Sequence, residues 1–85
     1  MEIVYSDRAK KEIAYWKKSG NAAIQERITK LLESIEQSPF SGIGKPEALK
    51  YDLAGYWSRR VNNEHRLVYK VEGKRLTVLS MRFHY

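Results

Sequence analysis

The residues whose types and order could do chemistry without a metal or cofactor are Glu47, Lys50, Arg59, Arg60, His65, Arg66, Arg82, His84 and Tyr85. These residue types suit the transfer of an RNA phosphodiester from its leaving 5′ oxygen to the neighbouring 2′-hydroxyl. That reaction needs a base for the 2′ proton, fixed cations for the charge on five-coordinate phosphorus, and an acid for the departing oxygen. A glutamate with an ordinary pKa near ~4.3 is ionised and ready to accept, and a histidine near ~6.5 exchanges protons around neutrality. Arginine adds a permanent forked charge that matches phosphate oxygens, and aromatic rings at the rim can stack unpaired bases. Other chemistries lack their residues. Two histidines and no cysteine give no zinc spacing. There is no P-loop, Gly42-Ile43-Gly44 lacks the rest of a dinucleotide fingerprint, and no serine sits in a nucleophile elbow.

Each candidate also has an ordinary reading. Glu47 follows Pro46, where a carboxylate can simply favour the first turn of a short helix, Pro46-Glu47-Ala48-Leu49-Lys50. Trp16 and Trp57 fit a core better than a base platform. His65 borders a turn and can be solvated or hold a loop. Arg59 and Arg60, if on a strand, point to opposite faces, so at most one of them meets a given ligand. His84, considered alone, is open to either reading.

The elements that must position these residues are legible in outline. Ile3-Val4-Tyr5 is strand-like, and Ser6 can cap a helix that opens with Asp7 and carries Ala9, Ile13 and Trp16 at helical spacing. Gly20 can end it, and Asn21 can cap a second helix with Ile24, Ile28, Leu31, Leu32 and Ile35 on one face. Ser38 to Pro46 reads as a long loop containing both prolines. Strand candidates follow at Tyr51–Leu53, Tyr56–Val61, His65–Val71 and Leu76–Phe83, with turns at Ala54-Gly55, Asn62-Asn63-Glu64 and Glu72-Gly73-Lys74. Helices followed by an antiparallel meander predict an α+β domain over residues 1–85, with two N-terminal helices on one face of a mainly antiparallel twisted sheet and the other face free.

At 85 residues without cysteine, the chain can bury only about two-thirds of its unfolded surface, and packing must supply its stability. No run approaches a membrane span and the start lacks a signal-peptide layout, so a soluble cytoplasmic protein is expected. The formal charge of +6 is uneven: residues 1–40 hold seven Lys/Arg against six Asp/Glu, and residues 41–85 hold nine against four. A basic second half favours an anionic partner.

The ordered stretches Pro39-Phe40, Gly42, Gly44-Lys45-Pro46-Glu47, Leu49-Lys50, Leu53, Gly55, Trp57-Ser58-Arg59-Arg60, Glu64-His65-Arg66-Leu67-Val68-Tyr69, Arg82, His84 and Tyr85 resemble the YoeB toxins. These belong to the wider RelE-like group of bacterial toxin–antitoxin ribonucleases. The resemblance implies an RelE/YoeB-like, microbial-RNase-like fold and an endoribonuclease that cuts mRNA in the decoding site of the 70S ribosome without metal or other cofactor. By the same resemblance Glu47 is the general base, Arg66 stabilises the transition state and His84 is the general acid. Tyr85 positions the nucleotide, while Lys50 and Arg60 contribute to the basic site. A cognate YefM-like antitoxin is implied as partner, acidic and partly disordered, with no membrane involved. A homodimer is also allowed, although no residue marks its interface. Two other functions fit the residues: a non-catalytic toxin on this scaffold, for example a gyrase inhibitor, or a plain RNA- or ribosome-binding module.

One register question bears on the site. A two-residue Gly73-Lys74 hairpin in perfect register would set Tyr69 opposite Val78 and Arg66 opposite Met81, on the face away from His84. An irregularity in this hairpin or at the chain end is therefore expected.

Overall fold

The computed structural model describes residues 1–82 and contains a five-stranded sheet with two helices on one face. The strands are β1 (Glu2–Tyr5), β2 (Glu47–Ala48), β3 (Trp57–Arg60), β4 (Arg66–Glu72) and β5 (Arg75–Ser80), in the spatial order β1-β5-β4-β3-β2. All neighbours are antiparallel except β1 and β5, which run parallel. The helices are α1 (Asp7–Ser19) and α2 (Ala22–Gln37).

Local chemistry accounts for the helix ends. Ser6 Oγ accepts from the Ala9 N–H at 2.9 Å and Asn21 Oδ1 accepts from the Ile24 N–H at 3.1 Å, each satisfying a donor that its helix cannot. Gly20 closes α1 at φ 72°, a conformation that costs glycine little. The buried stripes of the helices, Ala9 and Trp16 with Ile28, Leu31 and Ile35, meet Leu67, Tyr69, Leu76, Val78 and Met81 from the sheet. Trp16 is thus a core residue.

Two expectations differ from the structure. Pro46–Lys50 forms no helix: Glu47 and Ala48 pair with Ser58 and Trp57 as an edge strand, because the preceding loop is tied to β3 by Arg60 N–H donating to Gly44 O and β3 offers a free edge. Tyr51–Leu53 is a 3-10 turn, not a strand. It carries the chain from β2 back to β3, closed by Leu53 N–H donating to Lys50 O (3.1 Å) and Tyr56 N–H donating to Leu53 O (2.9 Å).

The expected irregularity is present. The β4–β5 register runs Glu72↔Arg75 to Tyr69↔Val78, then jumps to Val68↔Ser80, leaving Leu79 as a bulge. The core requires it: Val78 and Met81 are both buried there, yet residues three apart on a regular strand point to opposite faces. The bulge puts Ser80, instead of Leu79, on the face of Val68 and Arg66.

Candidate active site

Strand alternation sorts the chemistry between the two sheet faces. Arg59, Leu67 and Tyr69 point toward the helices, while Glu47, Ser58, Arg60, Arg66 and Val68 occupy the opposite face. There Glu47, Ser58, Val68 and Ser80 form one cross-sheet row. Ser58, Val68 and Ser80 are buried, whereas Glu47 is exposed at the edge. Two strand spacings, about 10 Å, separate the β2 and β4 backbones. Arg60 and Arg66 are direct cross-strand partners two residues along, and the Arg66 guanidinium donates to Ser58 Oγ at 3.2 Å.

The Arg60–Arg66 pair is electrostatically unfavourable, since like charges directly opposite on a sheet repel. Among the described residues no carboxylate forms an ion pair with Arg60, Arg66 or Lys50. Two guanidinium groups beside a solvated carboxylate can bind and polarise a phosphodiester while the carboxylate accepts a proton. Lys50 lies just beyond β2, at the start of the 3-10 turn, and is exposed. His84 and Tyr85 lie outside the described residues. Among those described, no group of three or more His, Cys, Asp or Glu is placed to hold a metal ion.

Glu47 owes its place to a residue on the other face. Arg59 is completely buried, and its guanidinium donates to Tyr69 Oη (3.0 Å), Ser34 Oγ (2.7 Å), Ile43 O (3.2 Å), Ser38 O (2.7 Å) and Ser41 O (2.8 Å). A buried charge is costly unless it is fully bonded. Here every N–H of the fork is used, and the C-terminus of α2 supplies negative dipole where that helix has no basic residue of its own. The loop wraps so closely that a Cβ on Gly44 would lie 2.7 Å from Leu31 Cδ2 and 3.2 Å from Arg60 O. A Cβ on Gly42 would collide with Ser34 Oγ. Arg60 N–H donates to Gly44 O at 2.7 Å, delivering the chain to β2.

A second clamp holds the other end of the sheet. Ser6 Oγ donates to the carbonyl of the bulge residue Leu79 at 2.6 Å. Glu12, itself buried, accepts from Met81 N–H at 2.8 Å, and Trp16 Nε1 donates to Met81 O at 3.1 Å. Both polar groups of the Met81 peptide are therefore fixed by side chains one turn apart on α1. The Arg82 guanidinium stacks 3.5 Å over the Tyr15 ring. Sequence reading missed Glu12, although position 12 falls on the Ala9–Trp16 apolar stripe and an acid there was the available signal. His65 is buried edge-on against Trp16, with ring centroids 4.9 Å apart, and its backbone is held by Asn62 Oδ1. It holds its turn on the core side of the structure. Trp57 packs against the core margin with Phe40.

Comparison with known proteins follows this geometry. Residues 5–85 match the family described as YoeB-like toxin of bacterial type II toxin-antitoxin system. The chain is 41% identical over 85 residues to the toxin YoeB of Streptomyces coelicolor, covering 100% of both chains. It superposes on the YoeB dimer from Staphylococcus aureus with a TM-score of 0.92 at 40% identity, covering 100% of this chain and 98% of that one. It superposes on the YoeB-YefM complex from the same organism with a TM-score of 0.91 at 41% identity, with the same coverage.

Proposed function

This chain belongs to the YoeB-like toxins of bacterial type II toxin–antitoxin systems, and on that premise we propose that it is a ribosome-dependent endoribonuclease that cleaves mRNA in the decoding site. Glu47 takes the 2′ proton, Arg66 and Arg60 neutralise the phosphorane, and His84 protonates the 5′ leaving oxygen. Lys50 and Tyr85 hold the substrate. No step in this scheme is assigned to a metal or cofactor. The observation that carries the reading is the free face of the sheet, where an exposed carboxylate and two facing guanidinium groups share a floor of buried Ser58 and Val68. An unpaired arginine couple of this kind is repulsive until an anion enters between its members.

A YefM-like antitoxin is the proposed inhibitor, its acidic segment covering the same basic face, and a homodimer is the proposed free form, as in the Staphylococcus aureus relative. Purified protein should cleave mRNA on programmed 70S ribosomes with chelator present. Glu47→Ala and His84→Ala should each abolish both cleavage and growth inhibition while leaving the thermal unfolding midpoint near that of the parent. Toxicity that survives both substitutions would return the chain to a non-catalytic inhibitor or a plain RNA-binding module.

A further inference from the structure

Tyr51 has the greatest exposure of any large apolar side chain described, 91%, and its backbone lies in the left-handed region at φ 58°. The turn needs a change of direction here but not an aromatic side chain. The conformation is strained for a residue with a Cβ, and a ring in water contributes no burial. Strained positions of this kind gather where a side chain must be held for function. Among the described residues the other non-glycine with positive φ is Lys45, at 51°, so the strained positions bracket the Glu47–Ala48 strand on either side.

The face that carries the candidate site runs toward this turn. From the Arg60–Arg66 pair it passes Glu47 and Ser58 to Tyr56, whose ring lies 5.2 Å from Lys70 Nζ, and Tyr56 O accepts from Leu49 N–H at 2.9 Å, one residue before the exposed Lys50–Tyr51 turn. The chain from Glu47 to Tyr51 can span at most about 14 Å, so a short stretch of single-stranded RNA reaches both. Cations interleaved with upright aromatic rings are how unpaired strands are held, because every base offers a π face and every phosphate a charge.

We infer that Tyr51 is a stacking platform for an unpaired mRNA base beside the scissile phosphate, with Lys50 on the adjoining phosphate. The inference rests on the ribonuclease reading and adds a substrate contact to it. Its test is cleavage by the full chain on 70S ribosomes programmed with short mRNAs, some carrying one abasic nucleotide at successive positions around the cut. Tyr51→Asn, whose side chain tolerates the left-handed region, should lower kcat/KM about tenfold, the order of one lost base stack, while Tyr51→Phe stays near the parent. The unfolding midpoint of Tyr51→Asn should match or exceed that of the parent, because strain is relieved. At one abasic position, and no other, the loss caused by Tyr51→Asn should vanish. Unchanged kcat/KM in Tyr51→Asn, or a loss equal at every abasic position, overturns the stacking role while leaving the ribonuclease reading intact. No cleavage by the unsubstituted protein overturns both.

Discussion

Arg59 and Arg66 lie on adjacent strands of one sheet and meet opposite fates. Arg59 spends its whole fork on neutral oxygens inside the protein, whereas Arg66 keeps all but a 3.2 Å contact to Ser58 Oγ for the free face. The chemistry of the two side chains is identical; alternation along β3 and β4 decides which becomes structure and which lies on the face of the candidate site. Tyr69 links Arg59 to the loop, accepting from its Nε and donating to Pro39 O at 2.7 Å. Burial raises its pKa above the ordinary 10.0, against smaller lowering effects from the Arg59 hydrogen bond and charge. Since the folded value exceeds the unfolded one, the associated stability is whole below the unfolded pKa and is lost as pH rises through the folded value. Urea unfolding on either side of pH 10 should therefore show an alkaline loss in the parent that is smaller in Tyr69→Phe. Equal losses would mean that another group titrates.

At the scale of elements, the candidate site depends on two clamps that lie off its own face. Arg59 pins the Ser38–Lys45 loop between α2 and the sheet and so delivers Glu47 to the edge of β3. Lysine has the charge but not the fork, and cannot serve five acceptors. Arg59→Lys should cost at least about 3 kcal/mol, measured by denaturant unfolding, and should lower cleavage further by loosening β2. The Glu12–Met81–Trp16 clamp fixes the backbone after the bulge, where the last residues begin. Glu12→Ala leaves a buried N–H without its acceptor, at a cost of about 1–3 kcal/mol, and kcat should fall in cleavage assays run where the variant is fully folded. Glu12→Gln retains an acceptor and should restore most of both. A kcat loss in Glu12→Gln as large as that in Glu12→Ala would show that the carboxylate charge, not the hydrogen bond, is what α1 supplies.

For the whole molecule, a net charge of +6 concentrated in the second half of the chain becomes a sheet face whose cations Lys50, Arg60 and Arg66 lack ion-pair partners among the described residues. Contacts from such cations to phosphate release counterions and weaken as salt rises. Raising monovalent salt from about 50 to about 200 mM should reduce cleavage on programmed ribosomes by about tenfold or more, read as kcat/KM. Arg60→Gln should make that dependence shallower, and an unchanged slope would remove Arg60 from the substrate path. The sequence alone determined what local rules govern. Ser6 and Asn21 capped the helices, Gly20 ended the first of them, period-3.6 stripes picked the core, and runs with β-branched residues marked β1, β4 and β5, because each of these is set by residues within a turn or two. The roles that the resemblance gives Arg66 and His84 called for an irregularity in the β4–β5 hairpin or at the chain end, and the register shift beside Val68 is one. Only tertiary structure decided that Pro46–Lys50 would be an edge strand instead of a helix, that Arg59 would be the buried cation of the pair, that Glu12 would be an interior acceptor, and that Tyr51 would stand strained in solvent. The first three of those outcomes turn on a partner more than 15 residues away or on a free sheet edge, and a linear pattern carries no information about either until the chain has closed on itself.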